Sequence, residues 1–138
     1  MNTTALLEYR TEIANFGKEL FRICGVEFAR TSELQRQICG AFLFGLAFAH
    51  SETHGLQPAE VHALAITMLQ DLLAYSVEQA GSFSSRLIEA SGSGTNDTMN
   101  AIIHRGIDGY RQITTGQHDG LRQNLLGIFD TLKASYVE

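Results

Sequence analysis

The sequence predicts an all-α fold: an antiparallel bundle of five or six helices in a single domain over residues 1–138. Three observations carry that expectation. Apolar residues recur at spacings of three and four along nearly the whole chain. Proline occurs once, at Pro58, so long stretches lack a helix breaker. No segment alternates apolar and polar residues as a half-buried strand does. A chain of 138 residues has the length of one domain and can bury a core without staples.

The first helix is expected over residues 4–28. Leu6, Tyr9, Ile13, Phe16, Leu20 and Ile23 form its apolar row, and Glu8, Glu12, Asn15 and Glu19 form a polar stripe beside it. The second helix opens at Ser32, where Ser32-Glu33-Leu34-Gln35 fits a capping box. Leu34, Ile38, Phe42 and Leu46 make its inward row, while Ala41, Gly45 and Ala49 follow at steps of four. Small residues at that spacing allow a second backbone to approach, which places Gly45 at a close helix crossing. With Phe44 and Phe48 on yet another side, this helix is apolar almost all round. Such a helix is central to the domain or partly held at an interface.

Residues 50–57 read as a polar turn, and Pro58 suits the first position of a third helix. That helix is expected to reach about Ala80 and to end at Gly81. Residues 83–90, with Phe83, Leu87 and Ile88, read as a short helix or a continuation of it. Ser91-Gly92-Ser93-Gly94-Thr95 is a flexible connector. Asp97 is placed to cap the next helix, whose apolar face is Met99, Ile102, Ile103, Gly106, Ile107, Tyr110 and Ile113 and whose end is Gly116. Asp119 is placed to cap the last helix, with Leu121, Leu125, Ile128, Phe129, Leu132 and Tyr136 inward.

A search for chemistry finds no complete reaction motif. There is no Gly-x-Ser-x-Gly elbow, and the Ser-Gly loop lacks the lysine and spacing of a phosphate cradle. Cys24 and Cys39 each sit in an Ile-Cys-Gly triplet and read as reduced, buried, inert thiols. His50, His54 and His62 fall within 13 residues, beside Glu52 and Glu60. A pair four apart on a helix can bind a metal, but the segment reads as a turn and the full ligand set is missing. The expectation is therefore no metal and no cofactor, with His50, His54 and His62 as the alternative site of a small metal protein or enzyme. Arg105, Asp108 and Arg111 share the polar side of the fourth helix, as a salt-bridged or recognition face.

The formal charge is −5, from 15 acidic and 10 basic residues. That balance argues against nonspecific binding to nucleic acid, which relies on Lys and Arg. Residues 1–80 carry nine acidic and five basic side chains and so hold most of the excess. Residues 1–8 contain no basic segment before an apolar run, so no signal peptide is expected and the cytoplasm is the expected compartment. The most apolar stretch, residues 38–49, is too short to span a bilayer.

A small, acidic, all-helical chain without a leader, carrying a Ser32-capped apolar helix, resembles the helical immunity proteins of bacterial polymorphic and type VI secreted toxin systems. The resemblance covers size, charge and helix layout and contains no short motif, so it carries over no binding residue. It implies a cytoplasmic antidote with no enzyme activity of its own, whose partner is a cognate protein toxin. An acidic antidote suits a toxin with a basic, nucleic-acid-binding cleft. Glu8, Glu12 and Glu19 are then the candidate partner-binding residues, with Arg105, Asp108 and Arg111 as a second face. A regulatory adaptor that forms a homodimer through the second helix is a further alternative.

Overall fold

A computed structural model describes residues 3–92 and 98–136, with side chains placed for residues 4–92 and 98–132. Six α-helices and one 3-10 turn make up the described residues, in the order α1 (Thr3–Cys24), the turn Phe28–Arg30, α2 (Glu33–Thr53), α3 (Pro58–Leu73), α4 (Val77–Ala90), α5 (Thr98–Thr114) and α6 (His118–Tyr136). The all-α bundle expected from the sequence is the fold observed.

Ile13, Leu20 and Ile23 bury the inner face of α1. The helix stops at Cys24, four residues short of the expected end. Gly25 adopts φ +68°, and its N–H and that of Val26 turn back to the carbonyls of Arg22 and Phe21. This is a glycine-terminated end that satisfies two otherwise orphaned carbonyls. Arg122 of α6 donates to a third, Ile23 O, at 2.9 Å.

Helix α2 is the axis of the molecule. Its capping box forms as expected: Gln35 N–H donates to Ser32 Oγ at 3.1 Å, and Ser32 N–H donates to Gln35 Oε1 at 3.0 Å. Residues 38–47 are buried without a break. The helix packs against α1, α3 and α6 and lies most extensively against α5. That crossing is backbone on backbone. A Cβ added to Gly45 would stand 2.0 Å from the carbonyl oxygen of Ile103, and one on Gly106 would stand 2.0 Å from that of Phe42. Gly45 thus occupies the close crossing that its spacing predicts, and Gly106 is its counterpart.

Helix α3 begins at Pro58 as expected, with Glu60 Oε1 accepting from Gln57 N–H at 2.7 Å. It ends at Leu73, well before Ala80. Ala74 takes the left-handed conformation (φ 57°, ψ 29°), and a further capping box opens α4: Gln79 N–H donates to Ser76 Oγ, and Ser76 N–H donates to Gln79 Oε1. Residues 83–90 are therefore the larger part of an independent helix, with Gly81 inside it rather than at an end. The turn at Ala74 lets Ala80, Phe83 and Leu87 fold back into the core, where the Phe83 ring covers Gly40.

Gly116 (φ +74°) closes α5, as expected. The last helix starts at His118, which puts Asp119 in its first turn and not at its cap. The proposed cap Asp97 and the side chain of Tyr136 lie outside the described residues. Asn124, only 6% exposed, joins α5 to α6. Its amide donates to Arg105 O at 2.9 Å and Gln112 Oε1 at 3.0 Å, while Arg105 Nε donates to Asn124 Oδ1 at 2.6 Å. Both cysteines are free and buried. Burial pushes the thiol of Cys24 up to about 11 and that of Cys39 up to about 12, so neither supplies a thiolate at neutral pH.

Candidate functional site

Two places on this scaffold have the makings of a site. The first is an apolar groove between α2, the start of α3 and the end of α4. It encloses about 550 Å³. Phe44 is buried at its base, whereas Phe48 and Ile88 stand 38% and 40% exposed. Val61 and His62 supply the α3 wall, and Glu52 adds an exposed carboxylate. The Nε2 atom of His62 is buried without a hydrogen-bond partner among the described residues. An all-round apolar α2 is what makes the groove. The core takes the whole circumference of α2 over residues 38–47, Phe44 included, and Phe48, one turn further on, is left exposed at the groove.

The second place is a polar cluster where α1, α2 and α5 meet. His50 lies inside α2, not in the turn expected for it, and is 5% exposed. One ring nitrogen, Nε2, is 2.7 Å from Glu12 Oε1, and the other, Nδ1, is 3.0 Å from Tyr110 Oη. His54, the residue that ends α2, packs its ring 4.4 Å from that of His50. Phe16 and Tyr9 wall the pair, at 5.1 Å from His50 and 5.0 Å from His54. His62 lines the groove instead, so the three histidines close in sequence do not form one site. Glu12 takes the third place.

The other candidate residues are divided by the fold. Glu8 is exposed and makes no ion pair among the described residues. Glu12 is held by His50. Glu19 pairs with Arg22 one turn on, and that hydrogen-bonded contact lowers its carboxyl below the usual range. Arg105 is engaged by Asn124, while Asp108 and Arg111 are exposed on the same helix. The acidic stripe and the α5 face therefore keep their places on the surface, but Glu12, Glu19 and Arg105 each already hold a neighbour. The apolar Phe44/Phe48 side of α2 is the one local sign of an interface, but it cannot place the groove, because Ile88 and Ser91 reach it from the far end of α4.

No curated protein and no solved structure matches the chain. The model of one family, described as immunity protein 48, matches residues 11–133, which includes parts of every helix and both candidate sites. With a match over nearly its whole length, the chain belongs to the immunity protein 48 family.

Proposed function

We propose that this immunity protein neutralises its cognate toxin by stoichiometric binding, performs no reaction of its own, and seats an apolar anchor of the toxin in the groove between α2, α3 and α4. The observation that carries this reading is the pairing of Phe48 and Ile88, two large apolar side chains left exposed at one cavity. Interfaces draw most of their binding energy from a few apolar or aromatic anchors seated in such pockets.

Charge supports the same reading. Four of the five basic residues in the first 80 are paired with acidic neighbours: Arg10 with Asp71, Arg22 with Glu19, Arg30 with Glu27 and Arg36 with Glu33. Glu8, Glu52 and Glu78 are exposed without such a pair among the described residues. The resulting negative field suits a toxin with a basic, nucleic-acid-binding cleft, and Glu52 sits at the groove itself. On α1, Glu8 adds to the field in full, Glu19 less so because Arg22 pairs with it, and Glu12 is hydrogen-bonded to His50. Asp108 and Arg111 form a second polar face on α5, with Arg105 fixed behind them. A bacterial cytoplasm and delivery of the toxin by type VI secretion complete the proposal.

The test is protection against the toxin encoded beside the gene. Phe48→Asp and Ile88→Asp should each abolish protection and weaken the purified complex by roughly a hundredfold, the scale of losing one buried anchor. Circular dichroism should show the helical content of the parent in both. Full protection by both variants would remove the groove from the interface. If the parent dimerises and the variants are monomers that still protect, the groove serves self-association.

A further inference from the structure

We propose that Glu12, His50 and His54 form a binding site for one divalent transition-metal ion, zinc being the natural occupant of this ligand set. The inference is independent of how the toxin is bound. Each of the three residues offers one ligand atom, and these atoms lie within 4.8 Å of one another. Ligands about 2.1 Å from a tetrahedral ion stand roughly 3.4 Å apart, so the group must contract only modestly. The movement falls on the residues free to make it. His54 is exposed at the end of α2, and the Glu12 side chain is 48% exposed. His50 is locked in place by burial.

The surroundings favour ligation over a simple ion pair. Metal-bound histidines direct their second ring nitrogen to a hydrogen-bond partner, which fixes the tautomer and the ring plane. Tyr110 Oη stands 3.0 Å from Nδ1 of His50 and can fill that role. Ligation through Nε2 leaves the imidazole proton on Nδ1, which donates to the Tyr110 oxygen. Phe16 and Tyr9 close one side of the pair, and the exposed side of His54 leaves room for a water as fourth ligand. Two imidazoles and one carboxylate select zinc, cobalt or nickel over magnesium or calcium, which take oxygen ligands. The bound ion would tie α1 to the end of α2, and through Tyr110 to α5.

The experiment is calorimetric titration of the full, untagged chain with zinc chloride, together with the visible spectrum of the cobalt form. One zinc per chain and the absorption of four-coordinate cobalt are expected. His54→Ala and Glu12→Gln, both at exposed positions, should weaken zinc binding at least tenfold and abolish the cobalt spectrum, since even outer-shell losses cost about 10–100-fold. Tyr110→Phe should weaken it without changing the stoichiometry. His62→Ala and His104→Ala should leave it unchanged. No saturable binding up to about 1 mM zinc would overturn the proposal, as that leaves only about 4 kcal/mol of affinity. Undiminished binding in His54→Ala would overturn it equally, because the ion would then be held elsewhere.

Discussion

The bonds that matter most at the level of single residues are those the chain makes across long separations. His50 meets Glu12 from 38 residues away, and Arg105 meets Asn124 from 19. Neither pairing has a local signal. The i, i+4 spacing of His50 and His54 is visible in the sequence, but their third companion is a matter of which helices become neighbours. That is why His62, close in sequence, was the natural but unsuitable third candidate. The same holds for Arg10, which reaches Asp71 of α3 with two hydrogen bonds at 2.8 and 2.9 Å. Those bonds hold the Asp71 carboxyl below the usual range, against a smaller opposing effect of burial. A lowered native value means that the pair stabilises fully above the unfolded value and is lost as pH falls through the native one. The side chains are 43% and 28% exposed, so solvent screening limits the effect to about 1 kcal/mol or less. Urea unfolding should therefore show Asp71→Asn less stable than the parent at pH 7, with the deficit shrinking as the pH falls below the ordinary carboxylate range and through the lowered native value. A deficit that persists unchanged in acid would mean the pair acts through packing and not charge.

Helices are where the sequence speaks most clearly, and their ends show where it falls silent. The apolar rows of α1, α2 and α5 and the Ser32 capping box could all be read in advance, because each depends on residues within one or two turns. The break between α3 and α4 could not be read from periodicity. Val77 and Ala80 continue the apolar rhythm of α3, and it is the Ser76–Gln79 capping box that ends the run. Ala74 accommodates the break at some cost, since a left-handed conformation disfavours a side chain by about 1–2 kcal/mol. Ala74→Gly should relieve part of that strain and stabilise the protein by about 0.5–1 kcal/mol, after allowing for the more flexible unfolded chain. In a thermal melt this is a rise of roughly 2–4 °C. A lower melting temperature would show that the Ala74 side chain contributes more by its contacts than it loses by its conformation.

For the molecule as a whole, the distribution of charge is the property most open to measurement. Acidic side chains without basic partners should speed the encounter with a basic toxin and leave the bound complex little changed. Replacing Glu8, Glu52 and Glu78 together by lysine should slow association by about tenfold at low salt, with a much smaller effect at about 0.5 M, where the Debye length is only a few ångströms. Stopped-flow mixing with the toxin measures this directly. An association rate that ignores both salt and the three substitutions would remove electrostatic steering from the mechanism. Glu12 is left out of the set because reversing it would also break its bond to His50. Antidote character was legible from size, charge and helix layout. The groove was not, because it depends on α4 bringing Ile88 to Phe48, and that return follows from the unread break at Ala74.

The Gly45–Gly106 crossing has a consequence for how such a protein can change. A side chain that clashes with another side chain can be rescued by trimming the neighbour. Here each added carbon would strike a carbonyl oxygen of the main chain, which no replacement on the opposite helix can remove. Neither glycine can compensate for the other. Outward residues such as Phe48, Ile88 and Glu52 are under no such restriction. A lineage of antidotes following a changing toxin can therefore rewrite its rim freely, while the point where α2 meets α5 admits no alternative spelling.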